Sequence, residues 1–184
     1  MTPPLAPVPP RMADFLSDRR GVSAVEFAMV LPLMLTLWLG TSEVSQAIGI
    51  DRKVTLSARA VADLVAQIPS INNTGMNDVM AASGAILAPF PLSNAKMTVS
   101  QIFIDGNGIA KITWSDTKNG TARGVGTVVT VPSALKINNT YLIWGEAEYT
   151  YSPSFGTVIV GTVNLKDQIF MRPRLSESVT RSAT

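Results

Sequence analysis

The sequence predicts an α+β chain in which one long N-terminal helix packs on an antiparallel β-rich head. Three observations carry this reading. Val22 to Leu39 is an 18-residue run whose single charge is Glu26. From Val44 to Ile68 apolar or small residues recur at spacings of three and four, the period of one helical face. After Pro91 the texture changes to short runs of branched and aromatic residues separated by Gly, Asn and Asp turns.

Composition narrows the possible functions. The chain has 184 residues, is 46% apolar and only 15% charged, against roughly 25% charged in an ordinary soluble domain. Mean hydropathy is +0.25. Neither His nor Cys occurs, which removes Ser-His-Asp and Cys-His catalysis, the usual zinc sites, His-ligated haem and any disulfide framework. A net charge of +2, with no basic stripe among aromatics, gives no argument for nucleic acid. No cofactor, metal site or enzymatic activity is expected.

Residues 1–21 read as a leader. Met1 to Pro10 holds Pro3, Pro4, Pro7, Pro9 and Pro10, which forbids a helix there. A polar collar follows and ends in Arg19, Arg20 and Gly21.

Residues 22–40 read as a transmembrane helix. Eighteen residues at ~1.5 Å each cover about 27 Å, close to the hydrocarbon thickness of a bilayer. Trp38 stands where an interfacial aromatic belongs. Arg19 and Arg20 precede the run, whereas beyond it Glu43 comes first and no cation appears before Arg52. The positive-inside bias therefore puts the N-terminus in the cytoplasm. The competing reading, a buried core helix, fails because nothing downstream is apolar enough to wrap it.

Glu26 is the most informative residue in this run. A charge within a membrane helix costs something like 2.5–3.5 kcal/mol on insertion scales, so it calls for a partner or a purpose. Its setting supplies one: Arg19-Arg20-Gly21 is followed by Val22-Ser23-Ala24-Val25-Glu26-Phe27. This resembles the leader of prepilins, cut by prepilin peptidase directly after the glycine, with glutamate as fifth mature residue. The longer run Arg20 to Leu33, with Pro32 six residues after Glu26, is similar to the opening of the TadE/TadG-like family, minor pseudopilins of the Tad (Flp-type) pilus. Glu148 to Pro153 and Phe170 to Arg174 resemble that family's closing segments.

The resemblance implies a pilin-like architecture and a membrane-anchored minor pseudopilin assisting Tad pilus assembly, adhesion and surface attachment. It implies cleavage between Gly21 and Val22 and a bend at Pro32. It makes Glu26, followed by Phe27, the charge that pairs with the new amine of a neighbouring subunit. The implied partners are the inner membrane, other pilins or pseudopilins, the Tad assembly machinery and prepilin peptidase. The head would then be periplasmic. Two other readings stay open: a secreted binding module whose signal peptide is cut after Ser42, at the small residues Gly40-Thr41-Ser42, and a permanently anchored single-pass protein.

The helix is expected to continue through residues 41–69. Val44, Ile48, Val54, Ala58, Val61, Leu64, Val65 and Ile68 form its packing face, and Pro69 ends it. Residues 70–173 form the head. Asn72 to Gly75 reads as a loop, with Asn77 capping a short helix that ends before Pro89. Strands are expected at Met97–Ile104, Ile109–Trp114, Gly124–Val131 and Tyr141–Tyr151, with one or two more in Val158–Val163 and Gln168–Met171. Asp105 to Gly108 and Asp116 to Gly120 are the turns. The tail, 174–184, is polar and expected to be loose.

Three features of the head invite a site and each has a simpler reading. Asp105-x-Asn107 begins like a calcium loop but lacks its closing Glu, so it reads as a hairpin turn. Glu146 and Glu148 share one strand face, as an exposed polar surface would. Gly120-x-x-x-Gly124-x-Gly126 lacks the Lys-Ser/Thr of a phosphate loop.

Overall fold

The computed structural model describes residues 20–155 and 161–183, with the backbone alone at Arg20. The leader over 1–19, Arg19 included, and the start of the strand expected at Val158 lie outside the described residues. The chain divides into two units, Met1–Ser42 and Glu43–Thr184.

The order of elements is α1 (Arg20–Ala66), β1 (Ser70–Ile71), α2 (Asn73–Ala85), β2 (Ala95–Ile104), β3 (Ala110–Lys118), β4 (Val128–Val129), β5 (Thr140–Tyr151), β6 (Val163–Met171) and β7 (Thr180–Arg181). β4-β3-β2-β5-β6 form a five-stranded sheet whose neighbours are all antiparallel. The architecture is the α+β arrangement expected from the sequence, a long helix followed by an antiparallel sheet.

One face of the sheet is the main core. Ala95, Met97, Val99, Ile143, Ala147, Tyr149 and Tyr151 are buried together with Ile50, Val54, Ala58, Val61, Ala62 and Val65 of α1. The helix lies on the sheet where β5 carries Gly145. A Cβ there would come within 2.6 Å of the Ala58 carbonyl oxygen and 2.8 Å of the Ala62 Cβ. Each Val or Ile buried here contributes ~1.5–3 kcal/mol. The opposite sheet face holds a smaller core of Ile102, Ile104, Ala110, Ile112, Val131 and Leu142. The two clusters alternate along β2 and β5, as the period of two demands.

The packing face of α1 starts later than its sequence suggests. Val44, Ile48 and Leu64 are exposed, and the buried row begins at Ile50 and runs through Val54, Ala58, Val61, Val65 and Ala66. Ile50 precedes Val54 by one turn, whereas Val44 and Ile48 lie on a different side of the helix. The helix stops before Pro69, and Arg174 N–H donates to the Ala66 carbonyl at 2.8 Å.

Several local expectations are corrected. Asn72 rather than Asn77 caps α2, its side chain accepting from Gly75 N–H. The following Asn73-Thr74-Gly75 is therefore helix, not loop. β3 continues through Asp116 to Lys118, because Ser115 and Thr117 hydroxyls bond to Ser100 and Thr98 at 2.9 and 3.0 Å; the turn begins at Asn119. Of Gly124–Val131 only Val128–Val129 is strand. Gly126 at φ +82° and the Thr127 N–H to Gly124 carbonyl bond make the preceding stretch a turn.

The tail is the largest correction. β7 pairs in parallel with β1, and Val179 is buried. Val179 N–H donates to the Gln101 side-chain oxygen at 2.6 Å, and the Trp114 indole N–H donates to the Val179 carbonyl at 2.9 Å. Arg181 meets Asp116 through two hydrogen bonds, which hold its guanidinium pKa above the ordinary value, against the opposing effect of burial. A polar composition hides this docking because the ties run through backbone groups and one ion pair.

Candidate functional site on the first helix

Helix α1 carries every expected site residue that the structure describes. Gly21 and Val22 lie in its first turn, Glu26 and Phe27 one turn on, and Pro32 inside the uninterrupted helix. A Cβ at Gly21 would meet nothing within 4 Å. No packing in the described structure requires a glycine there, although glycine costs a helix about 0.5–1 kcal/mol relative to alanine.

Residues 21–38 are exposed without a break. Phe27 is 61% and Trp38 68% exposed, and none of the apolar window is buried. In water such a surface would be a severe liability. By length and hydropathy, α1 is the one candidate membrane span among the described residues. The hydroxyls in and beside it are satisfied locally: Thr36 donates to the Pro32 carbonyl and Thr41 to the Leu37 carbonyl, both at 2.8 Å.

Helical spacing draws Val22, Glu26, Val30, Leu33, Leu37, Val44 and Ile48 onto one stripe, within an arc of roughly 100°. All seven are exposed. The Glu26 carboxylate thus shares a face with Val22, whose amine cleavage after Gly21 would free, and with the apolar pair Val44 and Ile48 beyond the span. Phe27 and Pro32 fall outside this stripe. Sequence reading missed it because Val44 and Ile48 fit the spacing of the packing face almost as well.

In the head, the Asp105 carboxylate is taken up by its own turn. It accepts from Ile109 and Asn107 N–H, both at 2.9 Å, and lies 3.4 Å from Lys111 Nζ. The Ile109 bond above all lowers its pKa, helped by Asn107 and Lys111 against a small opposing effect of desolvation.

Glu146 and Glu148 face a polar groove of about 540 Å³ beside Lys96, Arg123 and Lys166. Arg123 grips Glu146 through two nitrogens and lies 3.9 Å over the Trp144 ring. Trp144 stacks on Phe170 at 5.4 Å. Each carboxylate therefore has a cation near it, Glu148 having Lys96 at 4.0 Å. The alternation of β5 puts Trp144 and Glu146 on one face, but Arg123 reaches them from a loop that no periodicity announces.

A family model described as TadE-like protein matches residues 21–63. That match covers the exposed run, the Glu26 stripe and most of the buried row of α1. Neither the comparison with curated proteins nor that with solved structures gives a match.

Proposed function

We propose that this chain, whose residues 21–63 belong to the TadE-like family, is a membrane-anchored minor pseudopilin that assists assembly of a Tad pilus, adhesion and surface attachment. The observation that carries this reading is the position of Glu26: a lone carboxylate on an exposed apolar helix face, one turn from the candidate new N-terminus at Val22. Prepilin peptidase would recognise Arg19, Arg20 and Gly21 at the cytoplasmic surface of the inner membrane and cut before Val22. The helix then serves first as an anchor, with the head in the periplasm, and afterwards as a stem against other pilin helices, bending at Pro32.

In that second role Glu26 is a pairing charge. A carboxylate in an apolar setting is stabilised by an opposite charge only at close range and with good geometry. The freed amine of a neighbouring subunit supplies both. The stripe through Leu33, Leu37, Val44 and Ile48 extends the same contact by packing. The role is one of assembly rather than catalysis.

Glu26→Ala tests the reading in cells. The variant is expected to insert in the membrane at normal levels and to reduce piliation strongly. Normal piliation with Glu26→Ala would overturn the role of the carboxylate.

A further inference from the structure

We infer that the head makes a second membrane contact, through the Phe155 turn that follows β5, at the surface of the bilayer that α1 crosses. The inference rests on the membrane-anchor reading above and adds a contact which that reading does not require.

The first observation is covalent proximity. Phe155 N–H donates to the carboxylate of Glu43, and Glu43 is three residues beyond Gly40, where the apolar span ends. Three helical residues rise about 4.5 Å, and the headgroup layer on each side of the hydrocarbon is about 5–8 Å thick. A backbone tied to Glu43 therefore lies at the depth of the lipid headgroups. Tyr151, where β5 ends, lies close enough to Glu43 to feel its charge: burial first, and that charge second, hold its hydroxyl above its ordinary pKa.

The second observation is the chemistry of the turn. Phe155 is 68% exposed, while Pro153 two residues earlier is buried and fixes the base of the turn. From Tyr149 to Leu165 the sequence carries no charged side chain, in a head whose other strands bear charges at short intervals. An exposed aromatic on an uncharged turn, held beside the exit of a span, has the composition of an interfacial anchor. Water gains nothing from it, and the lipid boundary takes an aromatic ring favourably.

Because the chain has no cysteine, single labels report depth. Phe155→Cys, Ser154→Cys, Val125→Cys and Leu33→Cys variants of the full chain would each carry an environment-sensitive fluorophore. They would be reconstituted in phosphatidylethanolamine/phosphatidylglycerol vesicles containing doxyl-labelled lipid. Ser154→Cys keeps the aromatic ring, should Phe155→Cys disturb the turn. Labels at 154 and 155 are expected to be quenched several-fold more than the label at Val125, which is 76% exposed on another loop. Quenching at 33 with labels at 154 and 155 no more quenched than that at 125 would overturn the inference and leave the anchor standing. Absence of quenching at 33 would overturn the anchor itself, and the second contact with it.

Discussion

Gly145 on the central strand β5 faces the backbone carbonyl of Ala58 on α1, and the helix sits on the sheet only because no side chain stands between them. A Cβ built at Gly145 would lie 2.6 Å from that oxygen and 2.8 Å from the Ala62 Cβ. Neither obstacle can rotate away, since one is backbone and the other is itself a Cβ. The head is thereby locked to residues 50–66 of the same helix whose opening half is the candidate assembly surface.

Gly145→Ala is accordingly expected to destabilise the head by about 1–3 kcal/mol, the usual cost of overpacking a tight core. Thermal unfolding of the full chain in detergent, followed by circular dichroism, reads this as a fall of several degrees. An unchanged midpoint would mean that the helix–sheet spacing is looser than described.

Val179 tests the docking of the C-terminal segment. Both of its backbone groups are bound by side chains of the sheet, those of Gln101 and Trp114. Trp114→Phe keeps most of the apolar volume but leaves the Val179 carbonyl without its donor, a loss of about 1–3 kcal/mol when buried. Amide hydrogen exchange around Val179 to Ser182 is expected to accelerate. Unaltered exchange there would show that β1 pairing alone holds the segment.

The β2–β3 turn carries a pH dependence. The folded-state pKa of Asp105 is lowered from 3.8, chiefly by the Ile109 N–H. The stabilisation it provides is therefore present above about pH 4 and is lost as pH falls through the lowered folded value. Protection of the Ile109 and Asn107 amides should decline over that acid range. Asp105→Asn, which cannot ionise, should show no such decline; if it does, another group is responsible.

Ile48→Asp separates the two faces of α1. Ile48 is exposed and lies outside the buried row, so the variant is expected to match the unmutated chain in thermal stability to within about 0.5 kcal/mol. Piliation is expected to fall. A variant that unfolds would place Ile48 in the core, and one that assembles normally would remove the stripe from the contact.

Much of this arrangement is legible from the residues. The span follows from an apolar run with one charge, and the sheet from alternation in Met97–Ile104 and Tyr141–Tyr151. The assembly face was half legible: Glu26 announced itself, but Val44 and Ile48 share helical spacing with both faces, and only packing decides between them. Asn72 and Asn77 are equally good caps, and the choice falls to the one followed by a donor it can reach at Gly75. The Val179 docking left no apolar pattern, because its ties are backbone hydrogen bonds to Gln101 and Trp114. Arg123 over Trp144 is likewise a loop-to-strand meeting that sequence distance conceals.

The most direct test of the central claim is the intact mass and N-terminal sequence of the protein extracted from membranes. Cleavage after Gly21 predicts a chain that begins at Val22, with the amine free one turn from Glu26. A chain beginning at Met1, or one beginning at Glu43, would contradict the account and leave Glu26 without its proposed partner.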